Sequence, residues 1–154
     1  MKLRDSIDIR AEPDAVWPFV AIPQRMALWN RHVVAVDRSS EQPVQMGERF
    51  RMTFKMSGPE RQSDVEVVQC QPPLLVAYRH RFTAKARERS ALESYELIPL
   101  DEKTRLRQTI DLGDAGIPWF FGPLIWWVHR FGRSMGEPFL EGLKRLVEEG
   151  RIPS

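Results

Sequence analysis

A chain of 154 residues, 42% hydrophobic and 29% charged, is long enough to bury one core and too apolar to stay disordered. Its net charge is only +2, and Lys and Arg are interleaved with Asp and Glu, which argues against a nucleic-acid partner. The lone cysteine, Cys70, excludes an internal disulfide and argues against a thiolate metal cluster.

The segment MKLRDSIDIRAEPDAVW lacks the apolar stretch of a signal peptide, so a cytoplasmic protein is expected. No repeat, linker or low-complexity tract divides the chain, and a single domain over residues 1–154 follows. SIDIRA alternates polar and apolar residues, as a half-buried strand does. In EPDAVWPFVA, Glu12 reads as an N-cap, Pro13 suits the first helical position and Asp14 favours the positive end of the helix dipole. Pro18 is expected to limit this helix to a turn or two. PQRMALWN starts a second short helix at Pro23, with Asn30 as its stop.

From there the period is that of strands. HVVAVDRSS is one. In GERFRMTFKMSG, Phe50, Met52, Phe54 and Met56 share a face, Arg49, Arg51, Thr53 and Lys55 take the other, and Gly47 and Gly58-Pro59 mark turns. RQSDVEVVQC follows, with Val65 and Val67 opposite Asp64 and Glu66. After the turn QPPLL, the strand LVAYRHRF places Val76, Tyr78, His80 and Phe82 on one face and Arg79 and Arg81 on the other. ERSALESYELI and TRLRQTIDL form a last hairpin across PLDEK, with Leu106, Gln108, Ile110 and Leu112 sharing a face. Beyond Asp114 the spacing becomes helical. Leu124, Val128, Phe131, Met135, Phe139, Leu143 and Leu146 predict one long amphipathic helix over about residues 122–149, kinked near Gly136–Pro138 and closed by Gly150.

The stretch from Ile117 to Phe131, IPWFFGPLIWWVHRF, falls largely in an uncharged run from Ala115 to Val128, about 14 residues, short of the roughly 18–20 that cross a bilayer. Pro118, Gly122 and Pro123 interrupt it, so no transmembrane segment is expected. Trp126 and Trp127 differ in direction by about 100° on a helix, so both cannot face inward. The segment can wall one end of a cavity, form a homodimer contact, or dock peripherally on a membrane.

A sheet with one apolar face must cover it. Only one long helix is available, and it cannot fill the space over a wide, curved sheet. A residual apolar cavity is the expected result, and such a cavity is the default place for a ligand. Phe50, Met52, Phe54, Val67 and Tyr95 are expected to line it from the sheet, and Phe121, Leu124, Val128, Phe131, Met135 and Phe139 from the helical side. The polar candidates are Tyr78, His80 and Gln108, with Glu93 added if Tyr95 and Leu97 point inward, which the size of Tyr95 favours. Each has a structural reading as a hydrogen-bonded core residue. Their chemical reading is an acid/base group, His80 with Tyr78 and Glu93, or an anchor for a ligand oxygen, to which Gln108 also belongs. His32, His80 and His129 lack a metal-ligand spacing, and no glycine-rich phosphate loop or nucleophile elbow occurs, so neither metal nor cofactor is expected.

The order strand, two short helices, six strands, long helix, and the pieces IDIRAEPDAVWPFVAIPQRMALWN, GERFRMTF, PPLLVAYRHRF and YELIPLDEKTRLRQTIDL, resemble the START-like superfamily. That superfamily is also called birch-pollen-allergen-like, or polyketide cyclase/dehydrase and lipid transport. The resemblance spans nearly the whole chain. It implies an α+β helix-grip fold, a curved seven-stranded antiparallel sheet wrapped around a C-terminal helix. It also implies a lipid-like or polyketide-like ligand that is carried, sensed or, in the cyclases and dehydratases, converted.

Overall fold

Antiparallel pairing of neighbours in sequence organises the chain. The computed structural model describes residues 2–55, 59–84, 86–113 and 139–150. Strand β1 (Lys2–Ile9) is followed by helices α1 (Pro13–Ala21) and α2 (Pro23–Met26). Strands β2 (Val33–Asp37), β3 (Arg49–Phe54), β4 (Arg61–Gln71), β5 (Leu75–Ala84), β6 (Arg87–Leu100) and β7 (Lys103–Asp111) come next, and helix α3 (Phe139–Glu149) ends the described chain. The seven strands form one curved sheet in the order β1-β7-β6-β5-β4-β3-β2, antiparallel at every pairing. This is the helix-grip arrangement. β1 and β2 are consecutive in sequence yet sit at opposite edges, so α1 and α2 must carry the chain across the sheet.

Residues paired across an antiparallel ladder share a face, so register decides what the concave side holds. Phe50 pairs with Val65 and Val65 with His80. Val67 pairs with Tyr78, Tyr78 with Glu93, and Tyr95 with Gln108. This face is buried against α1, α2 and α3 through Ile9, Val16, Trp17, Phe19, Val20, Trp29, Leu140 and Leu143. The alternate residues form a charged outer face, where Arg51 meets Asp64 at 3.1 Å and Arg49 meets Glu66 at 3.2 Å. Such exposed pairs contribute little stability each.

Helix α1 starts where the sequence predicts, with Glu12 as N-cap, Pro13 first and Asp14 in the first turn. It differs in length. It runs through Pro18 to Ala21, nine residues. Pro18 deprives only the Asp14 carbonyl of a donor, and Asp14 is exposed, where water can serve it. The end of the helix is the more demanding problem, because its last carbonyls lack intrahelical partners. Each finds one. Ile22 N–H donates to Pro18 O, and Val44 N–H donates to Ala21 O at 2.8 Å. Pro23 has no N–H to offer Phe19 O, and the indole Nε1–H of Trp29 donates there instead at 3.1 Å. The hydroxyl of Tyr78, from the middle of the sheet, donates to Val20 O at 2.6 Å.

The last hairpin turns more tightly than PLDEK suggests. Leu100 pairs with Lys103, so Pro99, Leu100 and Lys103 belong to strands and only Asp101 and Glu102 turn, Glu102 with φ 61°. In α3 the inward side is Leu140 and Leu143, with Leu146 and Val147 half-buried beside them. Leu143 and Leu146 are the predicted stripe, and Leu140 joins it. Glu148 accepts from the Arg10 backbone N–H at 2.8 Å and fastens the helix to the end of β1. Gly150 closes it at φ 64°. The predicted helical stretch before Phe139, the kink at Gly136–Pro138 and the segment from Ile117 to Phe131 lie outside the described residues.

Candidate functional site

Polar side chains collect on the concave face where β4, β5, β6 and β7 run side by side. Strand alternation brings His80 inward from β5, Ser63 from β4, Glu93 and Tyr95 from β6, and Gln108 from β7. His80 is 9% exposed. Its Nδ1 lies 3.4 Å from Ser63 Oγ, and its Nε2 lies 3.7 Å from Glu93 Oε1. His80 and Glu93 are diagonal neighbours across the ladder, since His80 pairs with Ala91 and Glu93 with Tyr78. The Phe54 ring meets the imidazole edge-on at 5.6 Å. Among the described residues Nε2 of His80 is buried and has no hydrogen-bond partner. A separation of 3.7 Å is too long for a hydrogen bond, so neither atom's bonding capacity is used by the other.

Glu93 thus takes the inward phase, with Tyr95 and Leu97. Its side chain is 16% exposed, which leaves the carboxylate a path to solvent or ligand. Tyr95 is fully buried, and its hydroxyl oxygen accepts from Gln108 Nε2 at 3.1 Å. Burial first, and then the Glu93 carboxylate, push the Tyr95 hydroxyl well above the ordinary tyrosine range. Gln108 therefore has the cross-strand partner that its inward phase demands.

Tyr78 is on the same face as His80 but is committed elsewhere, its hydroxyl donating to Val20 O at the end of α1. Burial, and then Glu93, raise its pKa well above the usual value. Phe50, Met52 and Val67 are buried in the core, and Phe54 is half-buried beside His80. The structure brings His80, Glu93, Tyr95 and Gln108 together with Phe54. The candidates Phe121, Leu124, Val128, Phe131 and Met135, and the Phe139 side chain, lie outside the described residues, as do Trp126 and Trp127. The cavity expected between sheet and helix depends on residues 114–138 and is likewise outside them. Ser63 joins the site although no chemical motif marks it; only its phase with Val65 and Val67 points it inward.

Two grooves among the described residues lie on the other side of the sheet, one bounded by Arg51, Asp64, Arg81 and Glu88, the other by Arg79, Ser90, Leu92 and Asp111. Charged and polar side chains make up most of their walls, and His80 is not among the residues that line them. Among the described residues no group of three His, Cys, Asp or Glu side chains could hold a metal ion.

The sequence matches the family model described as polyketide cyclase/dehydrase and lipid transport over residues 1–148. No curated protein matches it. Among solved structures it is similar to protein CV1439 of Chromobacterium violaceum, with 20% identity, 96% of each chain covered and a TM-score of 0.70. It is similar to the Aha1 dimer of Colwellia psychrerythraea, with 17% identity, 99% of each chain covered and a TM-score of 0.64. A third is DynU16, a protein of the dynemicin biosynthetic locus, with 23% identity over 97% of this chain and 48% of that one, at a TM-score of 0.64. The chain thus spans about half the length of DynU16. At such identities the structural likeness is one of fold, whereas the family model reaches nearly every residue of the sequence. The chain belongs to the polyketide cyclase/dehydrase and lipid transport family.

Proposed function

We propose that the protein binds a small, largely apolar molecule against the concave face of its sheet, to carry or to sense it. The observation that carries this reading is the buried Nε2 of His80, which has no hydrogen-bond partner among the described residues, beside Glu93 and set in an apolar face. A core built only for stability satisfies its buried polar atoms. An atom left open in an otherwise satisfied band (Ser63, Tyr95 and Gln108) is an anchor for something that comes from outside. The family match supports the same reading. Neither a metal nor a nucleotide is needed for it, and a cytoplasmic location goes with it. No helix among the described residues is long and apolar enough to cross a membrane. Native mass spectrometry of the purified protein tests the proposal. A retained small molecule, lost in His80→Leu, is the expected result. A ligand-free protein that also takes up no apolar probe overturns it.

A second reading has an observation of its own. The 3.7 Å approach of His80 Nε2 to Glu93 Oε1 sets two acid/base groups against one small volume, as a cyclase or dehydratase requires. Tyr78, with its proton donated to Val20, has no part in that chemistry. Turnover of a retained ligand, abolished in Glu93→Gln with binding intact, distinguishes this reading from carriage. Trp126 and Trp127 keep their proposed uses in a homodimer or a peripheral membrane contact. Light scattering of a variant with both changed to alanine separates the dimer from the monomer.

A further inference from the structure

We propose that the gap between His80 Nε2 and Glu93 Oε1 takes a neutral hydroxyl group, that of an alcohol, phenol or enol, and turns away carboxylates and ammonium groups. The inference rests on the ligand-binding reading above and adds the chemistry of the ligand's polar end.

Donors and acceptors decide what fits there. The two atoms are 3.7 Å apart, and an oxygen about 2.8 Å from each, set to one side of the line joining them, makes a hydrogen bond to both. A carboxylate offers acceptors only. Whatever sits beside Glu93 must therefore donate. On the other side, the Ser63 hydroxyl stands 3.4 Å from Nδ1. When it donates there, Nε2 carries the ring proton and needs an acceptor. One group must then accept from His80 and donate to Glu93, and a hydroxyl does both through a single oxygen. A ketone or ester oxygen answers only His80. In that tautomer an ammonium answers only Glu93 and presents hydrogens to the Nε2–H. A ligand carboxylate meets Glu93 with like charge in a site where the His80 and Glu93 side chains are only 11% and 16% exposed. The edge-on Phe54 ring and the buried Tyr95 supply the apolar walls that the rest of such a molecule would touch. Among the described residues one competing cation is Arg89, which pairs with Phe82 on the same phase, nearer the β5–β6 turn.

Calorimetric titration of the whole chain at neutral pH with three probes of one skeleton decides the matter: 2-naphthol, 2-naphthoate and 2-naphthylmethylammonium. Naphthol is expected to bind at least about tenfold more tightly than either ion. In Glu93→Gln, whose amide no longer repels an anion, the deficit of naphthoate against naphthol is expected to shrink to about threefold or less. Equal binding of the three probes to the unaltered protein overturns this inference and leaves the ligand-binding reading standing. A preference for naphthoate that Arg89→Ala removes also overturns it and assigns the polar end to Arg89. Binding of none of the probes overturns both.

Discussion

Changing Tyr78 to phenylalanine removes one oxygen from the middle of the sheet, and the structure says what that oxygen holds. The phenol donates to Val20 O at 2.6 Å. Val20 itself is 0% exposed, at a helix end where no backbone N–H of α1 can reach its carbonyl. The ring stays. Its edge-to-face packing with Phe50 at 6.2 Å and with Tyr95 at 6.4 Å does not depend on the hydroxyl. The variant therefore isolates a hydrogen bond from the burial around it. A satisfied bond contributes about 1 kcal/mol net, and an acceptor stranded without water costs about 1–3 kcal/mol, so the expected loss is about 2 kcal/mol. For a chain of this length that corresponds to a fall of about 4–8 °C in Tm. Calorimetry gives the Tm, and urea unfolding gives the free energy, with the midpoint lowered and the slope unchanged. A variant within about 0.5 kcal/mol of the parent refutes the assignment, because it would mean that Val20 O had another donor.

Three more outcomes follow from the same structure. The chain has only two tyrosines, both buried, with hydroxyl pKa values pushed up by burial and by Glu93. Near-ultraviolet absorbance should therefore show no phenolate in the folded protein near the usual pKa of about 10, and stability should decline above that pH because only the unfolded chain gives up those protons. A reversible phenolate step before unfolding contradicts this. Asp8 is held down to about 2 by its hydrogen bond with Arg105, with Lys103 adding to the effect. The stability it contributes is present above its ordinary value of 3.8 and is lost as pH falls toward about 2. Urea midpoints of Asp8→Asn should lack that acid slope, and a slope parallel to the parent's would discount the pair. Leu143→Ala empties a fully buried position between α3 and the sheet and should cost about 3 kcal/mol in urea unfolding. A loss under about 1 kcal/mol would mean that α3 does not seal the core.

Strand alternation makes the faces of β3, β4, β5 and β7 legible in the sequence, and with them the inward aim of Phe50, Met52, Val65, Tyr78, His80 and Gln108. Prolines at the first helical positions likewise mark the starts of α1 and α2, and an acidic first turn adds to the signal at α1. What alternation lacks is register. His80 and Glu93 meet on a diagonal only because Tyr78 pairs with Glu93, and no local pattern on either strand contains that fact. The end of α1 is illegible for the same reason. Its donors, Trp29, Val44 and Tyr78, come from 10, 23 and 58 residues away, and a helix that borrows caps at such range can pass a proline that local rules treat as a stop. Ser63 escapes notice through size. A small hydroxyl on an inward phase looks like a gap in the apolar pattern until the imidazole beside it is seen.

Tyr78 and His80 stand two residues apart on one strand, both buried, on one face, and sequence alone gives them the same two readings. The structure separates them by a single criterion. The polar atom of Tyr78 is satisfied by the backbone of α1, so its position explains the fold and calls for nothing further. Nε2 of His80 has no hydrogen-bond partner among the described residues, although nearby Gln108 Nε2 donates to the Tyr95 hydroxyl. Burying an imidazole nitrogen without a partner costs stability in the empty protein. Under the proposed function a ligand that supplied the missing bond would recover that cost, and the strength of binding and the instability of the unliganded fold would then have one source. His80→Leu should therefore raise the Tm of the ligand-free protein, or leave it unchanged, while removing the anchor. A Tm lowered by several degrees would show that the structural contacts of His80, the Ser63 hydroxyl at Nδ1 included, outweigh its open Nε2, and that His80 belongs with Tyr78.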